Sequence, residues 1–348
     1  MSGARQHSKG AGRAFAIWMI LGVLGLVLSI SIAVSIGAVR VPLGTVWTIV
    51  GHHLFPGVIP AQDWPRAHEA IVWQLRLPRS LLAALVGAGL AVVGATLQSA
   101  TRNPLADPHL LGISSGGAFG AITALLHTGM IFGLITVPLF AFAGAVLATV
   151  LVLVVSQVAN ATSSDRLVLA GVAVSFIVMA LANVMIFLGD PRATHMVVFW
   201  MLGGLGLAQW AHLVFPAVVL CACSVWFMIR ARDFDAMTIG DETAATLGIN
   251  VTRFRLAAFV AGALVTGVMV AFSGIIGFVG LMVPHIVRMV VGGANGRVLP
   301  ASLIVGAIFL VWCDILARTI MAPDDIPIGV VTGLIGGLFF VWLLRRGR

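Results

Sequence analysis

The stretch Arg13-AFAIWMILGVLGLVLSISIAVSIGAV-Arg40 runs from Ala14 to Val39 without a charge. A helix of about 20 apolar residues crosses the hydrocarbon of a bilayer, whereas the apolar part of a cleaved secretion signal is only about 7–15 residues long. The stretch therefore predicts a first membrane helix that stays with the chain, behind a basic leader holding Arg5, Lys9 and Arg13. Composition says the same of the whole: of 348 residues, 60% are hydrophobic and 9% charged, with a mean hydropathy of +1.10. Soluble domains carry about 25% charged residues, so the bilayer is this chain's solvent.

Working outward, the next charge-free runs are Ser80 to Thr101, Pro108 to Ser164, Leu167 to Gly189, Ala193 to Ile229, Leu256 to Val287, Val298 to Cys313 and Ile326 to Leu344. Pro108 to Ser164 is long enough for two spans, with a turn near His127 to Gly133. Leu256 to Val287 divides as well, because Ser273-Gly274 and Gly277 interrupt it. The expectation is an all-α polytopic membrane protein of about ten transmembrane helices, one transmembrane domain over 1–348. Its N-terminus, 1–13, lies in the cytoplasm, residues 40–75 form an outer loop, and 231–253 form a cytoplasmic loop of two short helices. An even number of spans returns Arg345, Arg346 and Arg348 to the cytoplasm. Most basic residues then fall inside, including Arg102, Arg166, Arg230, Arg253, Arg255, Arg288 and Arg297, as the positive-inside rule requires. The location is the inner membrane.

The net charge of +8 reads as topology, with no nucleic-acid partner. Cys221, Cys223 and Cys313 sit in apolar runs at spacings that suit neither a disulfide framework nor a metal site. The one lysine, Lys9, is followed by Gly10, so the Lys-Ser or Lys-Thr of a phosphate-binding loop is missing. Gly112-Ile-Ser114-Ser-Gly116 matches the spacing of a nucleophile elbow but opens a membrane helix instead of following a strand. An ion-coupled secondary transporter is the alternative from another class; it would need ionisable residues near the midplane, which the charge-free runs do not supply.

Between Arg230 and Arg255 lies the one long cytoplasmic loop. Asp241 suits a helix start, Ala244, Ala245 and Leu247 favour helix, and Gly248 is a stop. Helices this short need a docking partner. A lipid-surface helix would be basic on its polar face, but Asp233, Asp235, Asp241 and Glu242 are acidic, which points to a protein.

Here the sequence resembles a family. Gly240-Asp-x-x-Ala-x-x-Leu-Gly248 is similar to the coupling-helix motif in permease subunits of ABC importers for iron chelates, haem and cobalamin. Matching blocks follow in family order: Leu75-Arg-Leu-Pro-Arg79, Arg102-Asn-Pro-Leu-Ala-Asp-Pro108, Arg166-Leu-x-Leu-Ala-Gly171, Phe199-Trp-Met-Leu-Gly-Gly204, Gly274-x-x-Gly-Phe-x-Gly-Leu281, Pro284-His-x-x-Arg288 and Pro327-x-Gly-x-x-Thr-Gly333. Departures are mild: Asp325 stands where many relatives have Glu, and the chain has no Tyr.

The resemblance implies a homodimer in the bilayer with two ATPase subunits and a periplasmic binding protein, importing a metal chelate. It implies no enzyme activity and no cofactor in this chain, ATP and Mg being bound by the ATPase. Gly240, Asp241, Ala244, Leu247 and Gly248 would couple to the ATPase. Asn103, Leu105, Ser163 and Ser164 would form cytoplasmic gates, and Arg76, Arg79 and Arg318 would receive acidic residues of the binding protein. Gly171, Ser175, Gly329, Gly333 and Gly337 would line the path or pack the dimer. Arg192 and His195 are candidate substrate contacts. Haem or a ferric siderophore is the favoured cargo, with cobalamin as the alternative.

Overall fold

The computed structural model describes residues 2–59, 64–158 and 164–346. The charge-free stretch after Arg13 is helical as far as Ser35, in α1 (Ser2–Ser35), and α2 (Leu43–Leu54) follows it. The second span is a continuous helical rod made of α3 (Arg66–Glu69), a π-helical segment (Ala70–Arg76) and α4 (Leu77–Thr101). Pro78 has no N–H to give to the preceding turn, and the wider π spacing absorbs the mismatch. Trp210 supplies a donor from outside, its indole N–H reaching the Trp73 carbonyl at 2.8 Å. The outer loop expected over 40–75 is thus corrected: it holds a helix of its own, and residues from Arg66 onward belong to the second span.

The remaining elements follow in chain order. They are α5 (Ile113–Thr123) with a π turn (Ala124–Thr128), α6 (Thr136–Val158), α7 (Ser164–Leu188), α8 (Pro191–Met201), α9 (Trp210–Ile229), α10 (Ala231–Ile239), α11 (Asp241–Thr246), α12 (Val251–Ser273), α13 (Val279–Val291), α14 (Asn295–Ala317) and α15 (Ile328–Arg346). Among the described residues eight helices are long and apolar enough to cross a membrane. Helix α5 with its π turn and α13 are shorter, so the count of full-length spans among these residues is eight against the ten or so expected. Both predicted divisions occur, at 128–136 and at 274–278.

Helix α4 is the central post. Its span is 89% buried over its most apolar window, against 22% for α1, α7 and α15. Helices α12, α13 and α14 pack directly on it. Small residues set these distances, because without a hydrophobic drive between helices in lipid, close backbone approach provides the attraction. At Gly94 a β-carbon would lie 2.0 Å from the Gly280 carbonyl oxygen of α13. Gly94→Val is accordingly expected to push α13 off α4 and lower the melting temperature of the purified chain; an unchanged melting curve would rule out this packing as a determinant of the fold.

At 1.5 Å per residue α13 is only about 20 Å long, so the connection before it is folded into the protein. Irregular backbone at membrane depth is tolerated only where protein covers it. That cover is a junction of three connections: the Gly204 N–H donates to the Ser273 carbonyl at 2.9 Å, and Ile328 and Gly329 donate to Gly203 and Leu202, each at 3.0 Å. Gly274, at φ +67°, has the Trp200 carbonyl where a β-carbon would stand, so both its conformation and its space demand glycine.

Candidate functional site

Helices α10 and α11 form one end of the subunit. Asp241 opens α11 and takes a two-pronged hydrogen bond from Arg255 of α12, at 2.8 and 2.9 Å. Arg255 is buried and also donates to the Ala100 carbonyl near the end of α4, at 3.1 Å. Arg102 stands 3.8 Å from the same carboxylate. In α10, Asp235 accepts from the backbone and side-chain amides of Asn295, at 2.7 and 2.9 Å, and Asn295 in turn accepts from Ser99 of α4. Arg230 pairs with Asp233 and lies over the Phe254 ring. Phe234 fills an aromatic cluster with Trp226, Phe227 and Phe254.

These contacts correct one step of the sequence reading. Asp233, Asp235 and Asp241 fasten the loop to its own subunit, so they are not the groups offered to a partner. Ile239 is 72% and Leu247 66% exposed, beside the exposed acid Glu242. Ala244 is fully buried. Gly240 separates the two helices, and Gly248, at φ +83°, ends the motif in the left-handed region that glycine adopts freely.

Asn103 and Leu105 lie in the turn after α4. The Asn103 side chain accepts the Leu105 N–H at 2.9 Å, an Asx turn, while the Leu105 side chain is exposed. Ser163 lies outside the described residues, as does the side chain of Ser164, which begins α7.

At the opposite end the three expected docking arginines turn inward. Arg76 donates to the carbonyls of Val34, Ser35 and Val39, and Arg318 to those of Ala33 and Ile36. Two guanidinium groups thereby satisfy the unpaired carbonyls at the end of α1. Asp314 is buried between Arg79, at 2.8 Å, and Arg318, at 3.2 Å; the first contact is a hydrogen bond and the second an ion pair without hydrogen-bond alignment. Arg79 also binds the partly exposed Asp325 at 2.6 Å. The expectation of outward-facing arginines is corrected on this point: Arg76 and Arg318 are buried and committed to their own chain, and Arg79 alone keeps a modest exposure.

The small-residue positions divide. The Ser175 hydroxyl returns to the Gly171 carbonyl of its own helix at 2.8 Å. Gly329 packs on the Leu202 carbonyl, but Gly333 and Gly337 face open space. The glycine of α15 that takes a side chain is Gly336, against the ring of Phe278. Arg192 is exposed near the start of α8, whose first turn Asp190 caps. His195 lines a cavity of about 430 Å³, shared with Phe199, Trp200, His212 and Phe272. Among the described residues no cluster of His, Cys, Asp or Glu is fit to hold a metal ion.

Two residues have places that the sequence reading did not assign. His109, in the 3-10 turn Pro108–Leu111, bonds Ser114 through one ring nitrogen and the Ile276 carbonyl through the other, at 2.6 Å. Phe278 holds φ +68°, a left-handed conformation that costs a bulky residue about 1–3 kcal/mol. A lone histidine between Pro and Leu announces nothing in sequence, and no pattern marks a phenylalanine for the left-handed region.

Comparisons with known proteins agree with this architecture. The family model described as FecCD transport family matches residues 25–346. The hemin transport system permease protein of Yersinia pestis is 36% identical over 82% of this chain and 87% of its own. The vitamin B12 import system permease protein of Vibrio cholerae is 35% identical over 83% of this chain and 87% of its own. A solved structure of a metal-chelate type ABC transporter in an inward-facing conformation superposes with a TM-score of 0.80 at 28% identity, covering 95% of this chain and 99% of that one.

Proposed function

This chain belongs to the FecCD transport family, and on that premise we propose that it carries haem or a ferric siderophore from periplasm to cytoplasm, as a homodimer worked by a separate ATPase. At the coarser level it is the permease of an ABC importer for metal chelates. The observation that carries the proposal is the α10–α11 loop. It is clamped to α12 through Arg255 and Asp241 and to α14 through Asn295 and Asp235, with Arg255 in turn bonded to α4, and it presents Ile239 and Leu247 outward. Such a stiff apolar knob on a chain without a phosphate-binding lysine suits transmission of force from an ATPase supplied by another subunit. The loop end, with both termini, then faces the cytoplasm.

Support for a bulky, largely apolar cargo comes from the cavity beside His195 and from the wide glycine faces of α15. Cobalamin is the second reading, favoured by the likeness to a vitamin B12 permease. A binding protein would meet the opposite end, where Arg40, Arg66 and Arg192 are exposed.

The test is reconstitution in vesicles with the ATPase and binding protein. The chain alone is expected to hydrolyse no ATP; turnover by the purified chain would sink the division of labour. With its partners it should concentrate haem or a ferric hydroxamate and leave cyanocobalamin outside. Uptake of cyanocobalamin alone would overturn the cargo assignment.

A further inference from the structure

Helix α12 joins the two ends of the subunit. Its first turn is clamped to the coupling loop by Arg255 and Asp241. Its last residue, Ser273, enters the junction where the connections before α9, α13 and α15 meet. Over 23 residues it is a rod of about 34 Å, packed along α4, α6 and α9. Motion at one end therefore reaches the break at 274–278 without being absorbed on the way.

Two contacts lead out of that break. Phe278 sits on α15: a β-carbon at Gly336 would fall 2.4–2.5 Å from the phenylalanine side chain, and the Phe278 and Phe340 rings lie 6.3 Å apart. Ile276 is held by His109, which belongs to the turn that continues from Asn103 and Leu105. A strained φ at Phe278 survives only where the surroundings over-determine it, and such residues collect at switches. Here the surroundings are the glycine notch of α15 and the glycines on either side of the break. Coupling between distant sites is carried by chains of packed side chains and rigid elements, and the Phe278 ring seated in the Gly336 notch is such a contact.

We propose that Phe278, seated on Gly336, is a positioning residue that passes movement of the coupling loop along α12 to the last span, while His109 links the same break to the turn at Asn103 and Leu105. This rests on the reading of the chain as a permease driven by an ATPase.

The test uses the permease assembled with its ATPase in nanodiscs, with Cys221, Cys223 and Cys313 replaced by alanine. An environment-sensitive fluorophore is attached in separate samples at Thr246 of the coupling loop, at Leu338 of α15, or at Leu105. Mg-AMP-PNP is expected to change the signal at all three positions in the parent. Phe278→Ala or Gly336→Ala should leave the Thr246 response intact and shrink the Leu338 response at least fivefold. The size-compensating pair Phe278→Leu with Gly336→Ala should restore at least half of it. His109→Leu should abolish the response at Leu105, and His109→Gln, which can still donate to Ile276, should keep it. A full Leu338 response in Phe278→Ala, or loss of the response only alongside loss of assembly and without rescue by the pair, overturns the proposal. Silence at Thr246 in the parent would instead remove the ATPase reading beneath it.

Discussion

Asp314→Ala is expected to lower the unfolding free energy by about 3–5 kcal/mol, the range for breaking a buried ion pair by removing one partner. The side chain of Asp314 is 1% exposed and stands between two guanidinium groups. Without it, Arg79 keeps Asp325, but Arg318 is left buried with only carbonyl partners. Asp325→Ala is the control: its side chain is one-third exposed, so water screens the loss and about 0–1 kcal/mol is expected. Urea denaturation of the detergent-solubilised chain would measure both, and equal losses from the two variants would refute the buried-clasp account. The same geometry changes how charge reversal at the docking arginines must be read. Arg76→Glu or Arg318→Glu removes donors from the end of α1 and should destabilise the fold itself, so lost capture of a binding protein reports on docking only when the variant's melting curve is unchanged.

Leu247→Asp is expected to cut ATP-driven uptake by about thirtyfold or more, the cost of losing an interface hot spot worth about 2 kcal/mol, with no change in melting. The side chain is exposed and holds nothing in its own subunit. Ala244→Trp should do the reverse. A fully buried alanine has no room for an indole, so overpacking of about 1–3 kcal/mol should appear as a lower melting temperature before any effect on the ATPase. Co-purification of the ATPase with each variant, compared with uptake, separates the two. If Leu247→Asp retains full uptake, the loop does not dock through its apolar tip.

The membrane spans were legible because charge is expensive in a bilayer, and its absence from Ala14 to Val39 or Pro108 to Ser164 is a direct record of burial in lipid or protein. The break at Ser273-Gly274 was legible as well, since a Ser-Gly step followed by Gly277 interrupts a helix in a recognisable way. The partners of the charges were not. Arg76 and Arg318 lie far apart in sequence yet meet the same four-residue helix end, and nothing local to either says that a carbonyl rather than a foreign carboxylate will receive it. The acids of the loop misled in the same manner: Asp235 looks solvent-facing until Asn295, 60 residues later, supplies two donors. The notch at Gly336 was hidden by its neighbours, because a four-residue spacing drew attention to Gly333 and Gly337, whereas Phe278 selects the glycine one position from that stripe.

The arginine clasp on α1 also has a consequence for manufacture. Translation delivers α1 to the bilayer first, but Arg318, which donates to the Ile36 carbonyl, lies 282 positions downstream. Until the ninth span has been synthesised, the first has Arg76 alone to satisfy its carbonyl end and little of its own surface buried. The earliest helix to insert is therefore the last to be secured, and truncation before Arg318 is expected to leave α1 loose and open to membrane quality-control proteases.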